Sequence, residues 1–265
     1  MSALADPAIV TPPVVIPAYN EAATIRDVVE RTLRHASRVI VIDDGSSDHT
    51  AACLHGLPIV LLRHDRNQGK AASIYTGARE ALRRGASGIV TLDGDGQHDP
   101  DDLRKILPAV ALRPNAIIVG TRLHARDTIP RHRYLANRFA NVWVGWAAGQ
   151  PISDSQSGFR YYPAAVFETL ELRHDRAASF VFESEVLIAA ARAGIELGFV
   201  PISVRYANPA RASHLHPVFD IGRIAAMIVR RLAQIPLDVR GLAAGVRRHV
   251  DPHAAGAVAR HSRKP

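Results

Sequence analysis

An α/β fold, with a mostly parallel sheet and helices on both of its faces, is what this 265-residue sequence predicts. Three observations predict it. Short, continuous apolar runs rich in Val and Ile recur through the first half, as in strands buried on both sides. Segments with apolar residues at helical spacing lie between them, so strands and helices alternate. Several runs end in Asp, Asn and Gly, at the edge where an open α/β sheet collects its ligands.

The elements follow in order. Val14-Val15-Ile16 is the first strand, and a helix from about Asn20 carries Ile25, Val28, Val29 and Leu33 on one stripe. Val39 to Ile42 is the second strand and Ile59 to Leu62 the third. A helix from about Gly69 to Arg84 turns Ile74, Ala78, Ala81 and Leu82 inward, and Ile89 to Leu92 and Ala116 to Val119 are further strands. Thr121 to Arg133 reads as a basic loop, Tyr134 to Ala148 as a helix, and Ser153 to Tyr162 as a loop and short strand. Phe182 to Ala193 is a helix and Glu196 to Tyr206 a strand. Val218 to Gln234 is an amphipathic helix with Ile221, Ile224, Ala225, Ile228 and Leu232 on one face. Residues 1–240 therefore read as one domain. Gly241 to Pro265 has no period and reads as a loose, basic, disordered tail.

Composition narrows the class. A hydrophobic share of 47% against 22% charged residues excludes wholesale disorder. The single Cys53 excludes a disulfide framework and a Cys-rich zinc module. No apolar run approaches the roughly 18 residues that span a bilayer; Ile224 to Val229 is cut short by Arg223, Arg230 and Arg231. Met1 to Ala8 holds Asp6 and no basic residue, unlike a signal peptide. The expected location is the cytoplasm, or the inner face of the membrane as a peripheral protein. A net charge of +8 favours anionic partners such as an acidic membrane surface or a phosphorylated substrate. The scarcity of Lys beside Arg gives that charge a second reading, as compositional bias. Aromatic content is 6% and no nucleic-acid recognition motif is present, so a nucleic-acid partner is not expected.

The sharpest local feature is Asp93-Gly94-Asp95-Gly96-Gln97-His98-Asp99-Pro100 at a strand end. On an extended backbone, Asp93, Asp95 and Gln97 fall on one side. Their hard oxygens suit Mg²⁺ or Mn²⁺ rather than zinc. Pro100 then opens a helix capped by Asp99. A polar Asp-Gly turn is the other reading of the same residues. Asp43-Asp44-Gly45-Ser46-Ser47-Asp48 and Pro17-Ala18-Tyr19-Asn20-Glu21 put further polar groups at two more strand ends. A carboxylate there can accept the N–H groups of a nucleobase, a Tyr ring can stack on it, and Lys70 at a helix start can meet a phosphate. Asp44 is expected to face the open strand edge. Asn20 and Ser47 also suit capping positions.

These motifs, with Asn67-Gln68-Gly69-Lys70 and Ser155-Gln156-Ser157-Gly158-Phe159-Arg160, occur in the order seen in family 2 glycosyltransferases. Over roughly Val10 to Leu232 the chain resembles the dolichyl- or polyprenyl-phosphate mannose synthase branch. The resemblance implies a GT-A, Rossmann-like fold, a nucleotide-sugar donor of the GDP-mannose or UDP-glucose type, Mg²⁺ or Mn²⁺, and inversion at the anomeric carbon. It implies that Pro17, Tyr19, Glu21, Asp43 and Asp44 hold the nucleoside, and that Asp93, Asp95 and Gln97 hold metal and diphosphate. Arg122 would face the acceptor phosphate, with Arg131 or Arg133 in the acceptor loop. Arg205 and Ser213 fall where relatives carry an Arg and then Ser-Lys, although here His214 replaces the Lys. A C-terminal membrane segment like that of many relatives is not expected from these residues. A polyprenyl-phosphate acceptor needs no strong base, whereas a soluble hydroxyl acceptor needs a carboxylate, with Asp154, Glu183 and Glu185 as the choices. A non-enzymatic nucleic-acid binder is the remote alternative. A sugar nucleotidyltransferase would show a Gly-rich basic signature after the first strand, and this chain does not.

Overall fold

The computed structural model describes residues 11–122, 131–172 and 181–203. Seven strands form one sheet: β1 (Val14–Ala18), β2 (Val39–Asp43), β3 (Val60–Arg63), β4 (Gly88–Thr91), β5 (Ile117–Thr121), β6 (Arg160–Pro163) and β7 (Leu197–Pro201). Their spatial order is β3-β2-β1-β4-β6-β5-β7. Every pairing is parallel except those of β6, which runs antiparallel between β4 and β5. The mostly parallel α/β sheet predicted from the apolar runs is therefore present.

Alternate residues of each strand serve opposite faces, which is why the runs are apolar throughout. Val15, Ile40, Ile42, Ile89, Ile117 and Val119 pack with α2 (Lys70–Arg83), α4 (Arg131–Ala148), α5 (Ala164–Thr169) and α6 (Phe182–Arg192). Val14, Ile16, Val39, Val41, Val90 and Ile118 pack with α1 (Ile25–Thr32) and α3 (Leu103–Leu112). Gly77 lets α2 approach closely, since a Cβ there would lie 2.4 Å from Val15 Cγ1. At the sheet edge β3 alternates half-buried and exposed residues, and Leu61 is 39% exposed.

Some boundaries differ from the sequence reading. The first helix begins at Ile25 rather than near Asn20. Asn20 takes a left-handed φ of 56°, and residues 21–24 make a turn before the helix. The fourth helix starts at Arg131, before Tyr134. Pro100–Asp102 is a short 3-10 turn leading into α3, with Asp99 accepting from the Asp101 N–H as its cap. The Val218 to Gln234 helix, the tail from Gly241, and residues 204–206 of the last strand lie outside the described residues. Among those described, no helix is long and apolar enough to cross a membrane.

Candidate active site

The carboxyl ends of β1, β2, β4 and β5 meet the amino end of β6 at one edge, because Thr91 and Val119 both pair with Arg160. On the first two strand ends, two loops are laced together. The Asn20 N–H donates to Ser46 Oγ (2.9 Å), and Asn20 Oδ1 accepts from the Ser47 N–H (2.9 Å). The Glu21 N–H donates to Thr50 Oγ1 (2.8 Å), and the Ala22 N–H to Asp48 Oδ2 (3.1 Å). Asn20 thus joins the second loop instead of capping its own helix. Ser46, Asp48 and Thr50 set this geometry, and nothing local in the sequence announces their partners.

Tyr19 is exposed (41%) at this edge, available to stack, and Pro17 and Glu21 are half-buried. Glu21 Oε2 accepts from Thr24 Oγ1 (3.2 Å). Asp43 is fully buried, and its Oδ1 accepts from the Ser46 N–H (2.9 Å). Its Oδ2 sits 3.2 Å from Arg63 Nε, yet no described donor points at it. A buried carboxylate oxygen without a donor is what an N–H from a ligand would satisfy.

Asp44 corrects the sequence reading. It does not face the open edge: it is 3% exposed and accepts from the Gln68 N–H (2.9 Å) and the Gly69 N–H (2.8 Å). His64 Nδ1 lies 2.7 Å from the same carboxylate. Side chains alternate sides at a strand end, so adjacent aspartates take different jobs. Asp44 shapes the loop that leads into α2.

Past β4 the chain turns rather than staying extended. The Gln97 N–H donates to Asp95 Oδ1 (2.9 Å), and Gly96 takes φ 74°. Thr24 Oγ1 donates to the Gly94 carbonyl (2.8 Å), fixing the turn to the start of α1. Lys70 Nζ bridges Asp93 Oδ1 (2.6 Å) and Glu183 Oε1 (2.8 Å). Burial opposes the Lys70 charge, but the two carboxylates outweigh it and raise its pKa. Burial likewise opposes the Asp93 charge, yet the Lys70 ammonium holds that carboxyl below its ordinary value. Asp95 goes the other way, pushed up to about 6 by burial and by the neighbouring Asp93. The hard carboxylate oxygens of Asp93 and Asp95 are of the kind that suits Mg²⁺ or Mn²⁺. Among the described residues no three His, Cys, Asp or Glu side chains group to hold an ion by themselves. Asp93 and Asp95 with Gln97 would share it with ligand oxygens and water. His98 is buried and lowered to about 4 by that burial, so it is neutral at physiological pH.

Just past β5, Arg122 grips the fully buried Asp154 through Nε (2.9 Å), Nη2 (3.0 Å) and its backbone N–H (3.1 Å). Burial opposes the Asp154 charge, but Arg122 holds its carboxyl below the ordinary value. Glu185, 5% exposed, sits with Glu183 in the first turn of α6. Gly158 closes the site: a Cβ there would lie 2.4 Å from Asp93 Oδ2 and 2.6 Å from Lys70 Nζ. The fold thus brings together Pro17, Tyr19, Glu21, Asp43, Asp93, Asp95, Lys70, Glu183, Arg122 and Asp154 along one edge. Arg131 and Arg133 begin α4, their side chains outside the described set; Arg205, Ser213 and His214 lie outside it altogether.

A mostly parallel sheet with one antiparallel strand, carrying aspartates at its strand ends, is consistent with the GT-A fold of glycosyltransferases, and comparison with known proteins supplies the class. The chain belongs to glycosyl transferase family 2, whose model matches residues 14–170. It is 29% identical over 220 residues to the UDP-N-acetylglucosamine–dolichyl-phosphate N-acetylglucosaminyltransferase of Methanococcus voltae, covering 75% of this chain and 87% of that one. It is 30% identical over 214 residues to the polyprenol monophosphomannose synthase of Mycolicibacterium smegmatis, covering 75% and 80%. Among solved structures, glucosyl-3-phosphoglycerate synthase from Mycobacterium tuberculosis bound to UDP superposes with a TM-score of 0.63 at 18% identity, covering 87% and 83%. The same synthase with Mn²⁺, UDP and phosphoglyceric acid gives 0.59 over 87% and 81%. At that identity the likeness shows the fold alone.

Proposed function

We propose that this glycosyltransferase moves a sugar from a nucleotide-sugar donor to a polyprenyl phosphate, with inversion at the anomeric carbon. One observation carries the choice of acceptor. Two of the carboxylates placed to act as a general base are committed to cations, Asp154 to Arg122 and Glu183 to Lys70. Asp154, whose carboxyl Arg122 holds below its ordinary value against the opposing effect of burial, is a weak base. A hydroxyl acceptor needs such a base, whereas a phosphate is already an anion at neutral pH and needs only to be positioned. The names of the methanococcal and mycobacterial relatives support the same acceptor class.

In this reading Tyr19 stacks on the base, and Asp43 Oδ2, ion-paired with Arg63 but accepting no hydrogen bond among the described residues, takes an N–H from it. Asp93, Asp95 and Gln97 hold Mg²⁺ or Mn²⁺, which when bound offsets charge on the leaving diphosphate. Lys70 keeps Asp93 ionised and ties it to Glu183. Arg131 or Arg133, with Arg205 and Ser213, belong to the acceptor side, and a basic peripheral contact with an anionic membrane surface would deliver the lipid. Donors of the GDP-mannose, UDP-glucose and UDP-N-acetylglucosamine types are the first to test.

The test incubates the protein with Mn²⁺ and each donor, with polyprenyl phosphate in anionic liposomes, a soluble hydroxyl compound, or no acceptor. Nucleoside diphosphate release and product are followed. Release stimulated by the lipid phosphate, and abolished by chelator, is expected. Transfer only to the soluble hydroxyl compound would replace the lipid reading.

A further inference from the structure

We infer that Arg160 is a positioning residue, which fixes the spacing between the donor and acceptor sides of the site by gripping three backbone carbonyls with one buried guanidinium. The inference deepens the reading above and rests on it for the identity of the two sides.

Arg160 opens β6 and is fully buried. Its Nε donates to the Ser157 carbonyl (2.6 Å), Nη2 to the Ser155 carbonyl (3.0 Å) and Nη1 to the Glu183 carbonyl (2.6 Å). Among the described residues its one further contact is the Tyr162 hydroxyl at 3.5 Å. All of these partners are neutral oxygens. A full charge buried without a carboxylate is expensive to hold, and closing a turn does not require one. What Arg offers instead is a rigid plane of five N–H donors that can bind several acceptors at fixed angles.

The three carbonyls belong to the parts of the site that must stay in step. Ser155 follows Asp154, which is locked to Arg122. Ser157 precedes Gly158, whose backbone lies against Asp93 and Lys70 and whose carbonyl accepts from Thr91 Oγ1 (2.8 Å). Glu183 holds Lys70 with its carboxylate while Arg160 holds its carbonyl. One side chain thus ties the loop that touches the metal-binding aspartate to the helix that carries the acceptor-side acids. A second link joins the same two segments: Gln156 Nε2 donates to Ser184 Oγ (2.8 Å). Asn141 anchors the loop separately, through the Ser153 carbonyl (2.8 Å) and the Ser155 N–H (2.8 Å).

Arg160→Lys in the full chain tests this, since one ammonium cannot hold three carbonyls in a plane. Calorimetry with Mn²⁺ and UDP or GDP should give affinity within about threefold of the unaltered protein, because the laced loops from Asn20 to Thr50 are untouched. Transfer to the acceptor should fall at least about thirtyfold, and donor hydrolysis by water less than about fivefold. Amide exchange across 155–159 and 182–186 should quicken at least about tenfold, with 44–50 unchanged. That last readout does not depend on any acceptor, so it stands even if the lipid reading fails. A parallel fall of transfer and hydrolysis, unchanged transfer, or unchanged exchange in both segments would overturn the inference. If Arg160→Lys does not fold, Gln156→Ala weakens the second link without touching a buried charge. It should lower transfer about three- to tenfold more than hydrolysis, and an equal loss of both overturns the inference.

Discussion

Replacing Asp95 by Asn should stabilise the metal-free protein while it destroys activity. Asn keeps the Oδ1 that accepts the Gln97 N–H, so the turn survives. It removes a carboxylate whose pKa rises from its ordinary 3.8 to about 6, through burial first and Asp93 second. At 1.36 kcal/mol per unit, that rise corresponds to about 3 kcal/mol of penalty on the ionised form. Local water and side-chain relaxation will reduce it, so about 1–3 kcal/mol is the expected gain. The pH window follows from the direction of the shift. Between about pH 4 and pH 6 the native state binds more protons at this site than the unfolded chain, so native stability falls as pH rises. Above about pH 6 the penalty is complete; below about pH 4 both states are protonated and it is absent. Urea unfolding in chelator should therefore show the variant ahead at pH 8, with the gap closing by about pH 4. Mn²⁺ should reverse the order, since a ligand at 100 times its Kd stabilises by about 2.7 kcal/mol and the variant has lost half of its carboxylate pair. Turnover should drop at least about a hundredfold. A variant less stable at pH 8 without metal, or a gap that ignores pH, would refute the reasoning.

Other outcomes follow from the same geometry. Asp44→Ala strands the Gln68 and Gly69 N–H groups and His64, so denaturant unfolding should show a loss of about 2–4 kcal/mol along with weaker nucleotide binding. Gly158→Ala pushes a methyl against Asp93 and Lys70; steady-state kinetics should show about a tenfold loss of turnover with little change in melting temperature. Arg122→Ala uncovers a fully buried carboxylate and should cost about 3–5 kcal/mol. A double-mutant cycle with Asp154→Asn should return a coupling above about 1.5 kcal/mol by urea titration.

What the sequence disclosed, it disclosed through local pattern. Val14, Val15 and Ile16 alternate between the two cores, and that shows as an unbroken apolar run. The cap at Asp99 needs only Asp99, Pro100 and Asp101, and it is legible. Asn20 misled because its left-handed φ goes with bonds to Ser46 and Ser47 on another strand's loop. Asp43 and Asp44 look equivalent in a string of letters, and only the pleat separates the carboxylate with an oxygen that accepts no hydrogen bond among the described residues from the one that shapes the loop into α2. The Lys70–Glu183 bridge and the Arg160 grip join distant stretches of chain, so no spacing rule could reveal them. Arg160 nonetheless left a trace: an Arg in an otherwise uncharged strand, RYYP, is an odd choice for a buried position.

The reversed direction of β6 has a consequence for how such a site can be altered. At the parallel strands the backbone is leaving the sheet when it reaches the site; at β6 it is arriving. The connection at residues 149–153, between α4 and the tightly held stretch from Asp154, is therefore where a change of length would leave the parallel register of β1 with β2 and β4 untouched. Any exchange of this segment must keep the Ser155 and Ser157 carbonyls that Arg160 holds and the bare backbone at Gly158 that packs against Asp93 and Lys70.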